Sequence, residues 1–199
     1  MIKTIILDWG GVITRGRHTR AVIDLLEQKY NIHIDDDSFS RDLMLPMDEG
    51  LEGLSDFRGR FRERYNIDID EEELYSILGR GILINEEVVD FIKNLKPKYR
   101  LLMLSDNNFP TIKHLQDEFS EIMDLFEKKY FSSELGITKP DESLFEYLIA
   151  DSAINPEEAV FVDDKLANTM AAQKAGLKTI CFENTNQFKQ ELAKLGITY

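Results

Sequence analysis

Cysteine is almost absent from this chain. The lone Cys181 in 199 residues excludes an internal disulfide framework and any cysteine-based metal site. Histidine is scarce as well, three residues far apart, so a zinc centre has too few donors. No apolar run approaches the roughly 20 residues that cross a bilayer, and the opening residues lack the layout of a secretory signal. A cytoplasmic protein is expected. Basic residues are outnumbered, 24 Lys and Arg against 37 Asp and Glu, and the resulting net charge of −13 argues against nucleic acid or an anionic membrane as partner. A small phosphorylated ligand stays open, since a metal ion and one lysine reverse the field in a cleft. Repeats, low-complexity tracts and long Pro/Gly/Ser linkers are missing too.

What is present is an apolar, β-branched opening run, Ile2 to Leu7, closed by Asp8-Trp9-Gly10-Gly11. It reads as a strand buried on both faces, with a carboxylate at its end and a flexible turn beyond. Arg15, Arg17, His18 and Arg20 follow, a basic cluster suited either to a substrate or to surface ion pairs. Thr19 is expected to cap the next helix. From Asn31 to about Gly81 the pattern is helical and acidic, with room for four helices; Ser55 and Asp70 are the expected caps, and Phe57, Phe61 and Tyr65 recur every four residues as a packing stripe. This block reads as a helical module, residues 15–81, inserted into a core formed by 1–14 and 82–199.

Beyond it, strands and helices alternate. Apolar strands are expected at 100–104, 129–132, 159–162 and 178–182, with helices between them, which means right-handed crossovers and a parallel sheet covered on both faces. The fold class is therefore α/β, Rossmann-like. Ligands bind beyond the carboxyl ends of such strands. Asp8, Ser105, Lys139 and the pair Asp163-Asp164 all fall there.

Asp8, Asp163 and Asp164 brought together need a positive charge between them, and Mg²⁺, which takes oxygen ligands and keeps some waters, meets that need; the carbonyl of Gly10 is a further ligand. A carboxylate with one oxygen on a metal keeps the other for attack on phosphorus, with Ser105 and Lys139 holding the phosphoryl oxygens. Gly11, Asp106, Asn107, Arg15 and His18 are the expected substrate contacts, the Asp106 carboxylate turned away from the phosphate.

Asp8-Trp9-Gly10-Gly11-Val12, the strand ending in Ser105, Gly136-Ile137-Thr138-Lys139-Pro140-Asp141 and Val160-Phe161-Val162-Asp163-Asp164 resemble the four ordered motifs of the haloacid dehalogenase (HAD) superfamily, and the insertion resembles its helical cap of the first type. The resemblance implies a Rossmann-like core, Asp8 as nucleophile, Ser105 and Lys139 on the phosphoryl group, Asp164 on Mg²⁺ and Asp163 supporting it through water. It implies a Mg²⁺-dependent phosphatase of a small phosphorylated metabolite, a sugar phosphate among the candidates. Two positions depart from the pattern: Asp106 follows Ser105 where Asn is common, and Gly10 stands where phosphatases carry a second Asp as general acid and base, as in an Asp-x-Gly-Gly-Val subgroup that includes a glucose-1-phosphate phosphatase. Two further readings therefore stay open, a metal-free 2-haloacid dehalogenase and a HAD-fold binding or regulatory protein. A phosphorelay receiver is excluded by motif order, and the oligomeric state is left open.

Overall fold

The structure, a computed structural model, describes residues 1–16, 18–80 and 82–199. Five strands form one parallel sheet: β1 (Thr4–Leu7), β2 (Arg100–Ser105), β3 (Lys128–Phe131), β4 (Ala159–Asp163) and β5 (Lys178–Cys181), in the order β3-β2-β1-β4-β5. The opening strand is central. It pairs with β2 through Ile5 and Leu101 and with β4 through Ile5 and Val160, which aligns the carboxyl ends of all three.

Alternation along these strands feeds two separate cores. Ile5 and Leu7, with Leu101, Met103, Val160 and Val162, pack on one face against α6 (Glu86–Leu95), α7 (Phe109–Glu118) and α12 (Thr185–Lys194). Ile6, Leu102, Leu104 and Phe161 point the other way, onto Phe145 and Leu148 of α10 (Glu142–Ser152) and the alanines of α11 (Leu166–Lys174). Short helices α8 (Ser120–Met123) and α9 (Ser132–Leu135) flank β3.

A third core belongs to the inserted segment, built by α1 (His18–Tyr30), α2 (Asp36–Phe39), α3 (Leu45–Asp48), α4 (Leu54–Tyr65) and α5 (Glu71–Arg80). The four helices expected after Asn31 are α2 to α5, with α2 and α3 joined into one helical run. That run is continuous from 36 to 48, because a π-type turn, Ser40–Met44, leads straight into α3 ahead of Pro46, which has no N–H to give one turn back. Caps differ as well. Helix α1 begins at His18, ahead of Thr19, and α4 begins at Leu54, where the Asp56 carboxylate accepts the N–H of Gly53 at 3.0 Å. Asp70 does cap α5, accepting from Glu72 and Glu73.

Two chain crossings join the insert to the sheet, and they pair with each other. Thr14 and Ile84 form an antiparallel bridge, flanked by bonds from Arg15 N–H to Leu83 O and from Asn85 N–H to Ile13 O.

The Phe57, Phe61, Tyr65 stripe packs as expected. Phe61 is fully buried, stacked on Phe57 with centroids 6.0 Å apart and 4.6 Å from the Tyr65 ring. Replacing it with alanine removes a fully buried ring and leaves a cavity that the surroundings fill only in part. Urea unfolding of Phe61→Ala is expected to show a loss of about 3–5 kcal/mol.

Candidate active site

At the carboxyl ends of the strands, Asp8 follows β1 and is fixed by its N–H on the carbonyl of Val162. Ser105 ends β2, Asp163 ends β4, and Lys139 reaches in from the loop between α9 and α10. The Lys139 ammonium is buried and uses its three donors on Asp8 Oδ1 at 2.9 Å, Asp163 Oδ2 at 2.8 Å and the carbonyl of Leu104 at 3.3 Å. Burial alone would discharge it, but the Asp8 and Asp163 charges outweigh that and hold its pKa above the usual lysine value. For Asp8 burial is the largest influence and prevails over Lys139, keeping the carboxyl above the ordinary range.

Asp163 differs from its neighbours. Burial would raise its pKa, yet Lys139 and the remaining donors bring it below normal. Both of its oxygens are engaged: Oδ1 accepts from Lys165 N–H and Asn168, Oδ2 from Lys139 and Asn168. Its structural place is to hold the lysine.

Asp164 is the opposite case. Its Oδ1 is buried without a hydrogen-bond partner among the described residues. Burial and the Asp163 charge raise its pKa. The turn from Trp9 to Ile13 lies against it. Gly11 there has φ +73°, and a Cβ on it would lie 2.3 Å from Asp164 Oδ2, so only glycine fits. Oxygens of Asp8, Asp163 and Asp164 approach within 4.8 Å of one another. An orphaned carboxylate oxygen, oxygen-only donors and a backbone pressed close suit a hard divalent cation such as Mg²⁺. Charge agrees, since Asp8, Asp106, Asp163 and Asp164 outnumber Lys139 and Lys165.

These groups open onto a cleft of about 400 Å³ between the sheet and the inserted helices, a size typical of small-molecule sites. Gly10, Gly11, Ser105, Asp106, Asn107 and His18 line it, as expected of residues near a ligand. Ser105 Oγ accepts from the Asn107 side-chain amide at 2.7 Å, which leaves its own proton to give. Asn107 N–H is spent on Ser132 Oγ, so Asn107 acts on the cleft chiefly through Ser105. Asp106 accepts the backbone N–H of Lys139 at 3.0 Å. His18 Nε2 is 2.6 Å from Leu78 O, and burial lowers its pKa.

Arg15 is not brought to this cleft. Its backbone is pinned to Leu83, and it lines a separate shallow groove beside Asn85 and Glu183. Arg20 pairs with Asp24 and Glu27 on its own helix. Arg17 and Gly81 lie outside the described residues.

Four charged residues of the cleft escape sequence reading: Asp37, Arg41, Asp48 and Lys165. Lys165 directly follows the acidic pair, the one clue to it. Asp48, at the end of α3, had none, being one acid among many in an acidic insert. Its Oδ1 accepts from the Asn108 side-chain amide at 2.9 Å and its carbonyl from Ser132 Oγ at 2.6 Å. Burial pushes its carboxyl up to about 7, opposed by the Asn108 hydrogen bond and reinforced by the Asp106 charge.

Comparison with known proteins adds to this geometry. The sequence model of the haloacid dehalogenase-like hydrolases matches residues 2–176. A D-ribitol-5-phosphate phosphatase of Bacteroides thetaiotaomicron is 30% identical over 201 residues, covering 96% of this chain and 97% of that one. Among solved structures, a predicted HAD-like family hydrolase from Porphyromonas gingivalis superposes with a TM-score of 0.79 at 27% identity, covering 100% of both chains. A HAD family enzyme from B. thetaiotaomicron, in complex with magnesium and inorganic phosphate, gives 0.78 at 25% identity over 94% of this chain and 99% of that one.

Gly11→Ala combines a left-handed backbone with a clash on Asp164, and urea unfolding is expected to show a loss of about 1–3 kcal/mol. The raised carboxyl of Asp48 binds more protons folded than unfolded between the unfolded value of 3.8 and about 7, so its contribution to stability is full below that window and lost as pH rises through it. In the absence of divalent metal, Asp48→Asn is therefore expected to gain on the parent protein, by up to ~3 kcal/mol between about pH 5 and pH 8 in urea titrations.

Proposed function

The chain belongs to the haloacid dehalogenase-like hydrolases, and within them we propose that it is a Mg²⁺-dependent phosphatase of small phosphorylated metabolites, sugar or polyol phosphates foremost. One observation carries this reading: Asp8 is held by a buried lysine beside Asp164, whose buried Oδ1 has no hydrogen-bond partner among the described residues. The size of the cleft and its hydroxyl and carboxylate lining, including Thr19, Asp37 and Ser40 from the insert, suit a ligand rich in hydroxyl groups. The polyol phosphate named for the relative is of that kind.

Asp8, Asp164 and the Gly10 carbonyl would hold Mg²⁺, which supplies positive charge to offset that on the reacting phosphoryl group. Asp8 attacks phosphorus with a carboxylate oxygen, and the ester oxygen leaves. Ser105 Oγ–H binds one non-bridging oxygen, and Lys139 binds another by turning one N–H from the Leu104 carbonyl, its longest contact at 3.3 Å, so the charge that builds in the transition state meets both donors. Asp163, with both oxygens satisfied, keeps Lys139 aimed and charged. Water then hydrolyses the aspartyl phosphate and restores Asp8. Residues 15–81 serve as a cap that covers the cleft and excludes bulk water, on a core of 1–14 and 82–199. A metal-free dehalogenase would leave the excess of carboxylates around Asp8 without a counter-charge.

Incubation with a panel of sugar and polyol phosphates is expected to release phosphate only with Mg²⁺ present, and EDTA to stop it. Asp8→Asn should lower kcat by at least ~10³-fold with the fold retained. Absence of turnover on every ester, or turnover indifferent to EDTA and to Asp8→Asn, would sink the proposal.

A further inference from the structure

The reaction requires a proton for the departing alkoxide and a base for the incoming water, and the residue after Trp9 supplies neither. Gly10 leaves open space beside Asp8: a Cβ placed on it would meet no atom within 4 Å. The titratable groups on the loops beside Asp8, and His18, are committed, while Asp37 lines the cleft from the insert. Lys139 spends its donors on Asp8, Asp163 and Leu104, Asp163 is saturated, Asp106 accepts from the Lys139 backbone, and His18 is turned to Leu78. Asp164 is the carboxylate suited to the cation.

We propose that Asp48 is the acid and base of this phosphatase, reaching the leaving oxygen from the inserted helices in place of a carboxylate at position 10. The assignment rests on the phosphatase reading above. Asp48 faces the same cleft as Asp8, Ser105 and Lys139, and it is anchored to the catalytic loops of the sheet, not only to its own helix. Asn108, three residues after Ser105, holds its Oδ1, and Ser132, the partner of Asn107 N–H, holds its carbonyl. The next turn is pressed down as well, since a Cβ on Gly50 would lie 2.3 Å from the carbonyl oxygen of Ser133. The Asp48 backbone is thereby tied to Ser105 through Ser132 and Asn107, and Asn108, on the same loop as Asn107, sets the carboxyl. The charged groups facing it are Asp106 from the loop after β2 and Lys165 from the loop after β4, one of each sign. Titrating near neutrality, Asp48 is available in both forms.

The steps balance. As Asp8 forms its bond to phosphorus and the P–O ester bond breaks, the Asp48 carboxyl gives its proton to the departing oxygen, yielding an alcohol and an Asp48 carboxylate. That carboxylate then takes a proton from the water attacking phosphorus, the bond to Asp8 breaks, and phosphate leaves with Asp48 again protonated.

The test compares an alkyl phosphate turned over by the parent protein with p-nitrophenyl phosphate, whose leaving group needs no proton. Asp48→Asn keeps an acceptor for Asn108. It is expected to lose ~10²- to 10⁴-fold in kcat/KM on the alkyl ester while nitrophenol release in a rapid-mixing burst falls less than about 10-fold. The burst should approach one equivalent per site, because the second step now lacks its base. Adding Gly10→Asp to Asp48→Asn should recover much of the alkyl-ester rate. Asp48→Ser, which keeps a hydroxyl for Asn108, should show the same split should Asp48→Asn not fold. Equal losses on both esters would mark Asp48 as a mere latch, and a change confined to KM as a substrate contact; either overturns the assignment. A parent protein inert on both esters removes the phosphatase reading itself, and this assignment with it.

Discussion

A lysine ammonium with almost no exposed surface sits between two buried carboxylates, and the rest of the site is arranged around that contact. Removing two charges from water costs several kcal/mol each, and their attraction offsets this only when every remaining donor and acceptor is satisfied. For Lys139 and Asp163 that condition is met by partners from all around: Leu104 O for the third lysine donor, Asn168 and the Lys165 N–H for Asp163. The lysine aliphatic stem is covered too, with its ammonium 5.7 Å from the Phe161 ring centroid. The result is a cation that cannot drift, aimed at a carboxylate whose second oxygen remains for chemistry.

That arrangement depends on a parallel sheet. Antiparallel neighbours would send alternate strand ends to opposite edges, whereas β1, β2 and β4 end together and deliver Asp8, Ser105 and Asp163 to one rim. The lysine comes from a loop rather than a strand, and so needs the Asp106 carboxylate on its backbone N–H to settle its position. This accounts for a carboxylate next to the proposed phosphate site: it is bonded to the lysine loop.

Much of this was readable from the residues. Short, largely apolar runs that alternate with helices predict the five strands and the edge where their ends meet, and the observed sheet agrees. Asp8, Ser105, Lys139 and Asp164 share the cleft because each belongs to a short motif tied to a strand end. Legibility fails where position depends on packing between distant segments. The 36–48 run contains Pro46, which locally argues for a break, yet a π-type turn ends just ahead of it and leaves the proline in the first turn of α3. Arg15 belongs to a basic cluster that looks suited to a phosphate, but its backbone pairing with Leu83 turns it to another groove. Asp48 could not be singled out because its meaning lies in Asn108 and Ser132, residues 60 and 84 positions away.

The inserted helices close their own apolar core, with Phe39, Met47, Phe57, Phe61 and Leu74 sharing none of the sheet's clusters. In evolutionary terms this separates two kinds of variation. Residues such as Asp37, Ser40 and Arg41 can be exchanged to admit a different ligand without disturbing the layers that align Asp8 with Lys139. Asp48 lacks that freedom although it sits on the same helical stretch, because its bonds run into the sheet loops. A lineage changing its substrate would be expected to rewrite the neighbours of Asp48 long before Asp48 itself.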